Sequence, residues 1–465
     1  MQALKRYAKV YAVCVGLFSL LLVIVSFVPR AAIQRQLEES AGILATEGDR
    51  PVAWPAADLE VDYLDSFTTA LSLNIASHAV GHPFVGAFAG SYFVGQGSRV
   101  EQFAEGLGKE AQVEYARYWH GYLSVLVPLL VVCNIDQIRV LFLILMVTLA
   151  CVATSLMGRR RRMGAAVCLG IALLFANVLF ATVSTSLAFS FFVALGATVW
   201  VLIRVREDDE RLCDDVDGVN FFVIGALTVF LDFLNTPIVT LGLPLATYAM
   251  LRKRTLAERP AKESLVRLGI LFFAWGAGYG LVWATKWIIG FVVCGSNVFE
   301  GVVGLAGSWT SGTPEGVESV SRMDVIRENL GQMLPRWLVL VCAGLAVVWA
   351  GLMLRFRRRG SGTLVLALLC AAALPFVWYL VLATHSHVHS FFAYRNLCVS
   401  VYALGLIACY AMDWRALRDR LSFWRGAVVS RALPEGAKPP LQNHTQPVKK
   451  GGLAPFAKAP LRRSR

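Results

Sequence analysis

The residues able to do chemistry gather on a few short segments. Asp62 and Asp65 stand together, followed by His78, His82, Arg117 and His120. Near the other end come His385, His387, His389 and Arg395, with Asp232 and Lys286 in between. A carboxylate is suited to taking a proton from a hydroxyl acceptor, and an imidazole to binding or passing one. Guanidinium and ammonium groups hold a phosphate as charge builds on it. This set fits transfer of a group from a phosphate-activated donor to an alcohol. Asp65 is the first candidate base, because Thr69 and Ser72 share a polar helical stripe with it; Asp62 is the second. A free Asp titrates near ~3.9 and is a feeble base, so burial against Tyr63 and Phe67 has to raise it. His78, His82, Arg117 and His120 are expected to contact the substrate. So are Asp232, His385 and His389, while Lys286 and Arg395 grip phosphate. Tyr115, Tyr118, Trp119 and Trp309 are available to pack on a ring.

What positions these residues is set by composition. The 465 residues are 57% hydrophobic and only 16% charged, and mean hydropathy is +0.59. Soluble domains carry about a quarter of their residues as charges, so a water-soluble enzyme is excluded. The net charge of +13 would point to nucleic acid in a soluble chain; in this one its placement matters more, and no nucleic-acid partner is expected. The 10 cysteines are scattered without a CxxC pair, which indicates neither a disulfide framework nor a zinc site.

The fold class is all-α and polytopic. Apolar runs long enough to approach a bilayer crossing cover Tyr11 to Val28 and about 136–157, 164–183, 186–203, 219–234, 236–251, 266–287, 336–354, 362–382 and 392–412, or about ten spans. The first is longer than the apolar core of a signal peptide and reads as an uncleaved span. Most of the 44 basic residues fall on the segments that ten spans put inside, so both termini are expected to be cytoplasmic in a plasma membrane. A transmembrane domain then covers 1–412, with long external loops at about 30–135 and 294–335. Trp414, Leu417, Leu421, Trp424 and Val428 share one face of a basic interfacial helix at 413–433, and 434–465 is a disordered tail. Within the first loop, Asp62 to His78 and Glu101 to Tyr122 keep helical spacing and are expected to lie on the membrane face, aromatic side down. Leu123 to Cys133 is too short to span and reads as re-entrant or interfacial.

Six of the 7 histidines occupy external segments; only His444 is inside. The sequence His385-Ser386-His387-Val388-His389 has no neighbouring carboxylate, so ordinary hydrogen bonding is expected there ahead of metal binding. Asp232, Lys286 and Arg395 fall in or beside apolar runs, where an ionised group needs a partner or a polar cavity. The external acids, imidazoles and cations are expected to meet around one hollow.

One further segment is informative. Trp119-His120-Gly121-Tyr122, then Pro128-Leu129-Leu130, Ile138-Arg139-Val140-Leu141 and Leu156-Met157-Gly158-Arg159-Arg160 resemble the entry to the second span of the GT-C membrane glycosyltransferases. The long first external loop bearing Asp65 is similar too, and His385 to Arg395 resembles an outer-face motif of GT-C-like bacterial envelope proteins. Trp119-His120 stands where many such segments have two prolines, and Asp62 and Asp65 are not adjacent. The resemblance implies a GT-C-like fold and a polyprenyl-phosphate sugar as donor. It also implies an envelope glycan, lipid or protein as extracytoplasmic acceptor, membrane lipids as neighbours, and an external-loop Asp as base. No other cofactor is implied; a divalent metal is left open but not indicated. Three rivals remain open: a transporter or lipid-linked saccharide flippase, to which Asp232, Asn235 and Pro237 give a hint; an acyltransferase; and a non-catalytic assembly partner.

Overall fold

Helix α1 (Gln2–Ser26) has 25 residues, enough at ~1.5 Å per residue to cross a bilayer core. The 30–135 segment that follows carries α2 (Arg30–Glu47), α3 (Ser66–Ala79), α4 (Val85–Ala89), α5 (Arg99–Gly106) and α6 (Leu123–Leu130). Next come α7 (Ile135–Arg159), α8 (Met163–Phe175), α9 (Thr185–Arg204), α10 (Asp215–Leu231), α11 (Pro237–Leu251), α12 (Lys253–Glu258) and α13 (Ala261–Cys294). The chain continues through α14 (Val298–Ser311), α15 (Arg322–Met333), α16 (Arg336–Phe356), α17 (Gly362–Val381), α18 (Ala383–Val388), α19 (Ser390–Ala393) and α20 (Cys398–Ala411). This computed structural model describes residues 2–52, 64–206, 212–213, 215–295, 298–311, 319–333 and 336–422. Asp62, Tyr63, Trp424, Val428 and the 434–465 tail lie outside the described residues. Among the described residues, regular structure is helical apart from isolated bridges at Val52, between Tyr92 and Val113, and between Arg357 and Met412. Met1–Met412 and Asp413–Arg465 form separate units; in the second, 414–422 is helical with Trp414 and Leu421 exposed.

Among the described residues six helices are long and apolar enough to cross a membrane: α1, α7, most of α9, α13, α17, and Ser390–Ala411, which joins α19 to α20 through a 3₁₀ turn. The chain is an integral membrane protein. The remaining apolar helices α8, α11 and the Leu340–Phe356 part of α16 are shorter, and α10 begins with Asp215 and Asp217. Helix α7 shows why such elements fold between protein and lipid. It buries Ile135, Ile138, Phe142 and Met146 at spacings of three and four, yet exposes Val140, Ile144 and Val147 on its other side. Helices α10 and α13 pack backbone to backbone, because a Cβ on Gly225 would meet the Trp275 carbonyl and one on Gly278 the Phe222 carbonyl.

The 164–183 run is not one continuous span. Helix α8 ends at Phe175, Asn177 turns left-handed at φ 50°, and a 3₁₀ turn at Phe180–Thr182 leads to α9.

The 30–135 segment also differs from its expected form. Helix α3 starts at Ser66, because the Asp65 side chain accepts the Thr68 amide and caps it. Rather than lying on a surface, α3 is buried on nearly every side, polar stripe included. Its hydroxyls find partners within the protein: Thr69 donates to the Val183 carbonyl at 2.9 Å and Ser72 to Thr68 at 2.8 Å. The helix expected to run from Glu101 to Tyr122 stops at Gly106. Gly108 then takes φ 84°, and the Tyr92↔Val113 bridge draws the chain into extended form. The tyrosine spacing that mimicked a helix comes from bridge and turn residues.

Candidate functional site

The cores of the 30–135 segment and the membrane helices meet at Trp119. Its indole donates to the Val282 carbonyl of α13 at 2.9 Å, while Phe18 of α1 stacks on Phe230 of α10 at 4.1 Å and meets Trp119 edge-on at 6.1 Å. Arg139 of α7 fixes the other side. It grips both carboxylate oxygens of Glu47 at 2.6 and 3.0 Å and reaches Ser66 at 3.2 Å. Burial raises the Glu47 carboxyl, but the bonds from Arg139 and Ser66 outweigh it and hold it below the usual carboxylate range. This fork sets the start of α3, and with it Asp65.

Several expected site residues are fastened to the backbone. His78 lies against the Asn74 carbonyl at 2.8 Å through Nδ1 and the Lys109 carbonyl at 3.2 Å through Nε2. Burial lowers its pKa, partly opposed by those carbonyls. His120, at φ 55°, has Nε2 on the Tyr115 carbonyl at 2.9 Å and Nδ1 3.4 Å from the Tyr122 hydroxyl. Burial pushes it down to about 3, with Lys286 and Arg117 adding repulsion. Lys286 is 0% exposed and donates to the carbonyls of Phe88, at 2.9 Å, and Ala116. Arg395 is buried, donating to the Phe391 carbonyl at 2.8 Å with its guanidinium over Tyr394. Asp232 accepts from Ser190 at 2.8 Å and from the Asn235 amide at 3.1 Å. His82 is exposed on a turn. His120, Lys286 and Arg395 are each held by carbonyls of their own surroundings, and none of Asp65, His120, Lys286 and Arg395 lines the wall of the polar cavity at Arg117.

A different group does share one. A cavity of about 210 Å³ draws its wall from α3, the 92–118 stretch, the α10–α11 link, α14 and the histidine turn. Arg117, His385 and His389 line it, as do Tyr115, Tyr118 and Trp309. Arg99, Tyr92, Phe233, Asn235 and Phe392 complete its chemistry; of these the sequence pointed only to Asn235, as a hint of a transporter site. The Arg117 guanidinium lies 4.2 Å over Tyr115; Trp309 packs 4.6 Å from His385, and Phe392 stacks on His389 at 5.1 Å. Burial raises the hydroxyl pKa of Tyr115 and Tyr118, so both stay neutral donors. His387, by contrast, turns from the cavity to Glu328, 2.5 Å away on α15.

Asp65 stands behind this wall at Thr68, whose side of α3 lines the cavity while its amide binds Asp65 Oδ1 at 2.8 Å. Asp65 Oδ2 is buried without a partner among the described residues. A second hollow, about 590 Å³ and almost wholly apolar, runs between α7, α9 and α10 past Phe142, Phe192, Trp200 and Leu227. Leu231, the last residue of α10, lines the apolar hollow, and Phe233 and Asn235 just beyond it line the polar one. Among the described residues no group of three or more His, Cys, Asp or Glu side chains is arranged for a metal ion. No family model matches the chain, and neither a curated protein nor a solved structure does.

Proposed function

We propose that this integral membrane protein is a GT-C-like glycosyltransferase of about ten transmembrane helices. It transfers one sugar from a polyprenyl-phosphate donor to an envelope acceptor on the extracytoplasmic side of the plasma membrane, with both termini cytoplasmic. One observation carries the reading. A small polar cavity with two guanidiniums and stacked aromatics and a large apolar hollow take lining residues from one short stretch, Phe233 and Asn235 for the first and Leu231 for the second. A donor with a long hydrocarbon chain and a compact anionic head needs both compartments side by side. At about 210 Å³, the polar one is below the ~300 Å³ at which pockets begin to take drug-sized ligands, so it suits one ring and its phosphate.

In the proposed reaction Asp65 Oδ2 takes the acceptor's proton as the acceptor oxygen attacks the anomeric carbon. The bond to the phosphate oxygen breaks, and its electron pair leaves with the polyprenyl phosphate, whose added charge falls to Arg99 and Arg117. The test is Asp65→Asn. Asn caps a helix about as well as Asp, so expression and thermal stability should hold, while transfer from a labelled polyprenyl-phosphate sugar in proteoliposomes should fall by ~100-fold or more. Near-normal transfer would remove Asp65 from the mechanism.

A transporter or flippase is the second reading, favoured by the break between α10 and α11, where Asp232, Asn235 and Thr236 are all buried. Counterflow of the labelled lipid without any transferred product would select it.

A further inference from the structure

We infer that the cavity bearing Arg99, Arg117, His385 and His389 is a proton-linked oxyanion site: the two guanidiniums hold a phosphate-type anion, and the histidine pair takes up a proton as it binds. The inference holds whether the protein transfers or transports its ligand.

Among the described residues the wall carries no carboxylate. Arg99 donates to the Gln102 amide oxygen at 2.9 Å and lies 5.6 Å over Tyr92; Arg117 lies over Tyr115 and Tyr118. Among the described residues neither guanidinium has an ion-pair partner. Two cations facing one small hollow repel each other, and a bound anion relieves that repulsion.

His385 and His389 sit one helical turn apart with ring centroids 4.9 Å from each other, and the Nδ1 atom of each is buried without a partner among the described residues. The charged groups around them are engaged elsewhere. On α15, Glu328 binds His387 and Arg322 binds the Leu380 carbonyl. Arg50 lies over the Phe391 ring, and Arg395 donates to the Phe391 carbonyl. From α14 and α17 the pair meets the indoles of Trp309 and Trp378. Among the described residues Arg99 and Arg117 are thus the charged groups that share its cavity. Burial lowers His385 well below its ordinary value, with His389 adding repulsion, and pushes His389 down to about 4. The empty site is therefore neutral at the pair. An anion in the cavity reverses the balance by favouring the imidazolium, and a ligand that raises a pKa binds more tightly as pH falls.

The test uses the full-length protein in detergent micelles and three probes: sulfate, which keeps both charges throughout the range, inorganic phosphate and farnesyl phosphate. Calorimetry in buffers of different ionisation enthalpy should show net proton uptake on sulfate binding. Affinity should rise by up to about tenfold per pH unit between pH 7.5 and 5.5. His385→Gln with His389→Gln should flatten that slope, because glutamine donates hydrogen bonds but does not titrate. His387→Gln should keep the slope, and Arg99→Gln with Arg117→Gln should abolish binding at every pH. Farnesyl phosphate binding far more tightly than inorganic phosphate assigns the anion to a lipid headgroup; equal affinities assign it to a free phosphate. Absence of sulfate binding, or binding without proton uptake, would overturn the inference, and the wild-type measurement decides this even if the histidine variants fail to fold. Transfer lost in Asp65→Asn with proton-linked binding intact separates this site from the reaction.

Discussion

The two sets of buried histidines use the same side chain in opposite ways. In the 30–135 segment, His78 and His120 have both ring nitrogens against carbonyls or hydroxyls of their own layer. In the turn before the last span, His385 and His389 line a cavity and leave Nδ1 unpartnered among the described residues. A satisfied imidazole is a structural strut, whereas an unsatisfied one in a polar hollow is a group waiting for a ligand or a proton. The same division applies to the cations. Lys286 is tied to two carbonyls, while Arg99 and Arg117 line the cavity with no carboxylate among its described lining residues.

The sharpest way to break this comparison is to disturb the strut side. Gly90 adopts φ 57°, and a Cβ there would fall 2.3 Å from His120 Nε2. Gly90→Val combines backbone strain with that clash and should cost about 3–5 kcal/mol, read as a large fall in unfolding temperature in detergent. An unchanged midpoint would mean that His120 is free to move. Lys286→Met strands the Phe88 and Ala116 carbonyls and should cost about 2–4 kcal/mol; neutrality would show that water reaches them.

Acid gives the next effect. His120 is pushed down to about 3 when folded and titrates near ~6.5 unfolded. Below pH 6.5 the unfolded chain therefore binds a proton that the folded chain refuses. Stability should fall as pH drops through that window toward 3, by at most about 1.4 kcal/mol per unit. His120→Gln should show a shallower slope than wild type, and identical slopes would remove His120 as the cause. The smallest effect on stability belongs to the other set: His389→Gln should stay within about 1 kcal/mol of wild type while weakening the pH dependence of anion binding. A stability loss as large as that of Lys286→Met would make His389 a strut as well.

Much of the helical frame was legible without coordinates. Each apolar run coincides with at least one helix, because about twenty apolar residues have few alternatives to a helix in lipid. The 30–135 segment was harder to read. Phe67, Leu71 and Ile75 have the period of a surface amphipath, yet Thr69 and Ser72 on the opposite side are buried too, since the partners that satisfy them come from the Val183 turn and from α3's own carbonyls. Tyr115, Tyr118 and Trp309 were expected to pack on a ring and do line the cavity, while Trp119 was spaced like them and is core. Arg99 opens the capped helix α5, and nothing local in the sequence reveals that its guanidinium lines a hollow with Arg117.

Composition and periodicity alone determined that the chain is helical and membrane-embedded, because those properties follow from the transfer of whole segments between water and lipid. The tertiary structure alone decided which polar side chains are already satisfied and which are left facing a cavity. Hydrogen bonding is a matter of single atoms within ~3 Å, and the partners of His120, Lys286 and Arg139 lie on elements that only folding brings together.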